Sequence, residues 1–123
     1  MKKIFLNLML FLGFVGCGGT SIHTLKGKEF VLNNSNTTIS FDEVENRFYG
    51  KAVNNYFGEY IQNGDNISLN LQGSTMMLGP KDEMKAETKY FNDLNQITTH
   101  KIEGNTLTLK GNKVDLIFTR KYL

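Results

Sequence analysis

The chain has 123 residues, enough for one domain, and its lone cysteine excludes an intramolecular disulfide and a cysteine-built metal cluster. The formal charge is +2, but Lys2 and Lys3 belong to an N-terminal leader. The 14 basic residues less those two leave 12 against 12 acidic ones, so net charge offers no footprint for nucleic acid or an anionic membrane.

The leader comes first. Lys2 and Lys3 form a basic start, residues 4–15 are apolar apart from Asn7 and Gly13, and Gly16 precedes Cys17. That is the layout of a secretory signal, with an apolar run too short to span a bilayer comfortably. The segment Phe14-Val15-Gly16-Cys17 resembles a bacterial lipobox, although Phe14 stands where leucine is usual. The resemblance implies cleavage after residue 16 and palmitate-type acyl chains on Cys17. Two or three such chains, at about 0.8 kcal/mol per buried methylene, give a firm membrane anchor. Residues 17–24, with Gly18-Gly19-Thr20-Ser21, read as a short tether.

From residue 25 to 123 the pattern is that of one folded domain dominated by period-two alternation. Phe30 with Leu32, Ile39 with Phe41, and Phe48 with Gly50 and Ala52 mark three short strands. Tyr56, Gly58 and Tyr60 alternate with Phe57, Glu59 and Ile61 in a fourth, and Asn63-Gly64 supplies a tight turn. Ile67, Leu69 and Leu71 alternate with polar residues in a fifth. Gly104-Asn105 and Gly111-Asn112 separate residues 98–103, 106–110 and 114–120, which predicts an antiparallel three-strand meander. One segment breaks the period. Pro80, followed by Asp82 and Glu83, is a helix start, and Met84, Tyr90 or Phe91, Leu94 and Ile97 recur at helical spacing over about residues 80–96. The expected fold is α+β and mainly antiparallel β: a small barrel or curved sheet with one helix packed against it or across its mouth.

Residues that carry chemistry are sparse. His23 and His100 have no second histidine or cysteine at metal spacing, and Asp42, Glu43 and Glu45 lack the regular ligands of a calcium loop. No serine sits in a nucleophile elbow and no glycine pattern suggests a phosphate cradle, so no catalytic residue, metal or cofactor is expected. The densest cluster is Asn54, Tyr56, Gly58 and Tyr60 with Ser74, Thr75 and Met77. It reads either as a candidate interaction surface or entry to an apolar cavity, or as packing that maintains the fold.

These residues also carry a resemblance. Gly50-Lys51-Ala52-Val53-Asn54-Asn55-Tyr56-Phe57-Gly58-Glu59-Tyr60 is similar to the signature of the META domain of HslJ-like bacterial lipoproteins. Ser74-Thr75-Met76-Met77, the helix residues Glu87, Phe91 and Leu94, Gly104-Asn105-Thr106-Leu107-Thr108-Leu109 and Leu116-Ile117-Phe118-Thr119-Arg120 follow in the family's order. Where many members carry cysteines, this chain has Val53 and Gly79, so it does without any bridge they imply.

The resemblance implies a compact antiparallel β architecture, an envelope location and links to heat shock and antibiotic tolerance without an established reaction. The leading expectation is a non-enzymatic envelope lipoprotein that supports envelope integrity. It would be anchored through Cys17 to the periplasmic face of the outer membrane where two membranes exist, with an envelope protein as partner and no nucleic acid. A pilotin-like or acyl-chain-binding carrier module, holding its ligand between helix and sheet, is the alternative.

Overall fold

The computed structural model describes residues 24–122. The leader (1–16), Cys17, the tether up to residue 23 and His23 lie outside the described residues.

Eight strands are joined in sequence order into a closed antiparallel barrel: β1 (Glu29–Leu32), β2 (Thr38–Phe41), β3 (Arg47–Lys51), β4 (Asn55–Asn63), β5 (Asn66–Ser74), β6 (Ile97–Glu103), β7 (Thr106–Gly111) and β8 (Val114–Lys121). Pairing of β1 with β8 closes the ring, with Phe30 opposite Arg120 and Leu32 opposite Phe118. Closure leaves few exposed sheet edges, and eight strands enclose a space that side chains can fill. Alternating positions supply that filling: Phe30, Ile39, Phe41, Phe48, Tyr56, Leu107, Leu109 and Phe118 are each at most 1% exposed. Of the two expected architectures, barrel or curved sheet, the molecule adopts the barrel.

The one weak seam explains the helix. β5 and β6 share a single register pair, Asn66 with Thr99, beside the bond from His100 N–H to the Asp65 carbonyl. Farther along, α1 (Lys81–Leu94) links the two strands and packs against β5. Tyr90 and Leu94 turn inward, and Leu94 is fully buried. The Tyr90 ring meets Tyr56 at 5.7 Å and Phe118 at 6.4 Å, so the helix stoppers one barrel mouth with aromatic rings. At the opposite mouth Leu25, 1% exposed, plugs the floor. There the Lys26 ammonium donates to the Val44 carbonyl and the Asn46 side chain, tying the incoming chain to the β2–β3 loop.

Local boundaries differ slightly from expectation. Pro80 caps the helix rather than occupying its first turn, and the helix stops at Leu94 rather than near residue 96. The β4–β5 hairpin turns on Gly64-Asp65, one residue later than expected, with Gly64 in the left-handed region. The last hairpin likewise turns on Asn112-Lys113, while Gly111 stays in β7. A Cβ on Gly111 would run into the Gln96 carbonyl, so this glycine serves close approach of two chains instead of a turn. Gly104-Asn105 forms its two-residue turn where expected.

Candidate functional site

The signature residues converge where the β3–β4 connection, the segment after β5 and α1 meet. Asn54, 2% exposed, sits at the last position before β4, and its amide is fully engaged. Its Oδ1 accepts from Thr75 Oγ1 at 2.9 Å and from Met77 N–H at 2.6 Å. Its Nδ2 donates to the Met77 carbonyl at 3.2 Å and to Glu87 Oε1 at 3.0 Å, while its backbone N–H donates to Glu87 Oε2 at 2.6 Å. The Thr75 hydroxyl also accepts from Asn55 N–H, and Thr75 N–H donates to the Asn55 carbonyl. Asparagine suits this place because it is neutral and presents both donors and acceptors, which find partners on the segment after β5 and on α1.

Glu87, 6% exposed, is the residue that sequence reasoning placed on the helix without giving it a role. The available signal was a carboxylate at helical spacing from Tyr90, Phe91 and Leu94, inside an otherwise apolar stripe. Such a group must be paired once buried, and Asn54 pairs it.

One step along β4, Tyr56 Oη donates to the Thr38 carbonyl at 2.5 Å and lies 2.6 Å from Tyr90 Oη. Its single proton is used on Thr38, so Tyr90 is the donor between the two hydroxyls. Burial raises the Tyr56 pKa above the usual phenol range, reinforced by Tyr90, and burial likewise raises that of Tyr90. Neither hydroxyl is positioned to ionise, which suits a structural pair and not an acid–base pair.

The aromatic row on β4 is built around close approach. Tyr56 lies opposite Gly50, and Gly58 lies opposite Phe48. A Cβ on Gly50 would come within 2.7 Å of Tyr56 Oη, and one on Gly58 within 2.6 Å of Phe48 Cζ. Each glycine therefore leaves the space that the facing ring occupies, and beside Gly58 the β4–β5 register shifts, with Gln72 as the extra residue on β5. Tyr60 is buried against Phe41, with ring centroids 5.5 Å apart. Its hydroxyl is buried without a partner among the described residues, and burial, then Asp42, raises its pKa.

The expectation of an interaction surface is thus corrected for four of its seven residues. Asn54, Tyr56, Gly58 and Tyr60 face the interior because the even-numbered positions of β4 point into the barrel. Ser74 is half-buried at the end of β5. Thr75 and Met77 are exposed, but Thr75 spends its hydroxyl on Asn54 and Met77 contributes backbone groups. What remains outward is apolar: Met76, Met77 and Leu78 are 92%, 54% and 94% exposed. The entry to an apolar cavity is likewise occupied by side chains, since an acyl chain between helix and sheet would have to displace Tyr90 or Leu94.

Elsewhere, Asp42 accepts from Val44 N–H at 3.0 Å and Glu45 N–H at 2.8 Å, and these bonds hold its pKa below the usual carboxylate range. His100 is buried, with Nδ1 3.2 Å from the Asp65 carbonyl and Nε2 3.2 Å from Gln62 Nε2. Burial lowers its pKa, against the opposing pull of Asp65. Among the described residues no three His, Cys, Asp or Glu side chains are grouped to hold a metal, and no helix is long and apolar enough to cross a membrane.

Comparison with known proteins agrees with this geometry. A protein from Burkholderia xenovorans solved by NMR is similar in fold, with a TM-score of 0.68 at 19% identity over 79% of this chain and 83% of that one. A second NMR structure gives 0.61 at 21% identity over 77% and 90%. A DUF4847 family protein from Bacteroides vulgatus gives 0.57 at 17% identity over 68% and 57%. No curated protein matches the sequence. The META domain family matches residues 18–122, which span every strand, the helix and the Asn54–Glu87 lock, and the chain belongs to that family.

Proposed function

We propose that this META domain protein is a non-enzymatic lipoprotein of the bacterial envelope, exported by its leader and anchored through acylated Cys17, with a stress-related role in envelope integrity. The observation that carries the reading is the sequence of residues 2–17: a basic start, an apolar run and the chain's one cysteine where a lipobox places it. The described domain supports a role without chemistry of its own. Its most distinctive polar groups, Asn54, Glu87, Tyr56 and Tyr90, are buried and mutually satisfied, so they hold elements together instead of facing a substrate. Gly18 after the cysteine lacks the acidic residue that often retains lipoproteins at the inner membrane, which favours the periplasmic face of the outer membrane in a two-membrane cell. The exposed Met76-Met77-Leu78 segment is then the part of the signature cluster left to meet an envelope protein.

Metabolic labelling with an alkyne fatty acid tests the anchor. The wild-type protein takes up label and Cys17→Ser does not. Label retained by Cys17→Ser, or intact chain with its leader recovered unmodified from the cytosol, overturns the reading. A photo-crosslinking residue at position 76 in labelled cells tests the contact segment against the same probe at exposed position 113.

A further inference from the structure

The end of β5 leaves an open strand edge. β5 meets β6 in register only at Asn66 and Thr99, and Asn95 Oδ1 covers the Leu71 N–H at 3.4 Å. Beyond Ser74, where pairing with β4 ends, the chain runs to Pro80 outside any helix or strand. Asn54 nevertheless holds it extended. The N–H and C=O of Met77 both bond to the one Asn54 amide, which requires them to point to the same side, as they do in a strand. Thr75 is turned the same way, toward Asn55. Alternation then directs the backbone groups of Met76 and Leu78 to the other side, where no hydrogen bond among the described residues engages them. Their side chains share one face and are 92% and 94% exposed.

Natural sheet edges are blunted by charge, by proline or by a covering helix. Here Pro80 stops the strand and α1 covers its earlier part, yet no charged side chain stands between Asp65 and Lys81. Charge therefore does not keep a second, identical edge away. The edge is also self-complementary. Two copies set antiparallel about a two-fold axis at Met77 place Met76 of each opposite Leu78 of the other. Each such pair exchanges two N–H to C=O bonds, so the four backbone bonds need no other residue. The same register brings Met76 and Leu78 side chains together on one face and the two Met77 side chains together on the other.

We infer that two copies of this chain associate edge to edge through residues 75–78, with Met76 and Leu78 as the hydrogen-bonded pairs. The inference rests on the reading of 76–78 as a protein contact, and not on acylation of Cys17. The preceding chain joins at the opposite mouth, beside Leu25, so an N-terminal anchor of either kind, leader or acyl chain, favours protein over bilayer at this edge. Three apolar residues a side fall well short of the roughly 800 Å² per partner of a standard interface, so the pair is weak in solution and is read by trapping it.

Single cysteines in the full chain, expressed with its leader and oxidised with diamide in cells, test it. Met77→Cys faces its own counterpart across the axis and gives a disulfide dimer at least about fivefold above Val44→Cys, which is exposed at the opposite mouth. The unsubstituted chain sets the background from Cys17. Adding Leu78→Pro to Met77→Cys deletes one N–H on each copy, hence two of the four bonds, and lowers the dimer about tenfold. A residue before proline keeps the extended backbone that Asn54 holds. Leu78→Ala, which keeps the N–H and trims the side chain, falls between. If Leu78→Pro does not fold by circular dichroism, Met76→Lys, which blunts the edge with a charge on both copies, takes its place. A Met77→Cys dimer no greater than that of Val44→Cys, or one unmoved by these edge variants, overturns the inference. So does Met77→Cys joined to a different protein, which names a heterologous partner and leaves the contact reading standing. Quenching of Met76→Trp by brominated phosphatidylcholine, in a chain otherwise without tryptophan, while Met77→Cys stays monomeric names the bilayer and overturns both.

Discussion

Asn54→Asp is nearly isosteric, yet the structure makes it a severe change. The new carboxylate still accepts from Thr75 Oγ1 and Met77 N–H, but an oxygen replaces Nδ2, which stands 3.0 Å from Glu87 Oε1. Two carboxylates at that separation repel by about 5–6 kcal/mol at an effective dielectric of about 20. The pair escapes by taking up a proton, so one carboxyl pKa in the folded variant rises above its unfolded value of about 4. Holding a proton at pH 7 against that reference costs about 1.4 kcal/mol per unit, or about 4 kcal/mol. Protonation is the cheaper route and sets the deficit.

The sign follows from linkage. A raised folded-state carboxyl pKa means that the native variant binds more protons than the unfolded chain, so its stability falls as pH rises. The Asn54→Asp deficit relative to wild type is therefore about 4 kcal/mol at pH 7 and shrinks to about 1–2 kcal/mol at pH 5. In a domain of this size the former corresponds to a loss of about 15–30 °C in Tm. Urea and thermal denaturation at the two pH values measure it. Asn54→Ala, which adds no second carboxylate, is destabilised with less pH recovery than Asn54→Asp, and the double variant Asn54→Asp/Glu87→Gln regains most of the loss because the new amide can donate to the new carboxylate. A deficit below about 1 kcal/mol at pH 7, or one identical at pH 5, refutes the lock as described.

Three further outcomes follow from the same framework. Tyr56→Phe leaves the Thr38 carbonyl without that donor and the Tyr90 hydroxyl without its acceptor, and costs about 1–3 kcal/mol in urea unfolding; adding Tyr90→Phe makes the total less than the sum of the single losses. Gly58→Ala forces a Cβ against the Asn70 carbonyl and the Phe48 ring and lowers stability by about 1–3 kcal/mol, whereas alanine at exposed Asn70 stays within about 0.5 kcal/mol. His100 has a lowered folded-state pKa, so its contribution is present above the unfolded value of about 6.5 and is lost as pH falls below it. Wild type therefore loses more stability than His100→Gln between pH 7.5 and 5.5, measured by the urea midpoint.

What the sequence disclosed followed from local physics. Alternation in β5, β7 and β8 survives because one face of each strand is buried, and the helix was legible because a proline, two acids and an apolar stripe coincide. Ring closure was not legible, since pairing of Phe30 with Arg120 joins the ends of the domain and leaves no local trace. Two hairpins were misplaced by one residue for different reasons. At residues 63–66 the glycine, not the asparagine, opens the turn; at 111 the glycine is held in the strand by Gln96. At the candidate site the sequence left interaction surface and packing both open, and the structure selects packing for the residues on β4. Spacing by two told which residues share a face of β4, but only the curvature of the closed sheet decides that this face is the inner one.

That reversal changes where function should be sought. Asn54 joins its own segment to two others, 21 to 33 residues away in sequence, so a chain lacking it loses the fixed docking of α1 over the barrel mouth, whatever its surface does. In this chain the requirement holds irrespective of any partner, so these buried residues can be distinctive while naming no reaction. Surface groups answer to no such common constraint. The apolar segment 76–78 is tied into the lock through the Met77 backbone, whereas the mouth plugged by Leu25 lies at the far end of the barrel. A variant such as Met76→Ser, which changes an exposed side chain, should therefore leave the helix docked, and Asn54→Ala should loosen the helix while leaving the far mouth largely as it was. Hydrogen exchange of α1 amides, read beside that of β1 amides at the far mouth, separates the two; an Asn54→Ala chain that moves both readings together would mean that the barrel transmits strain from one mouth to the other.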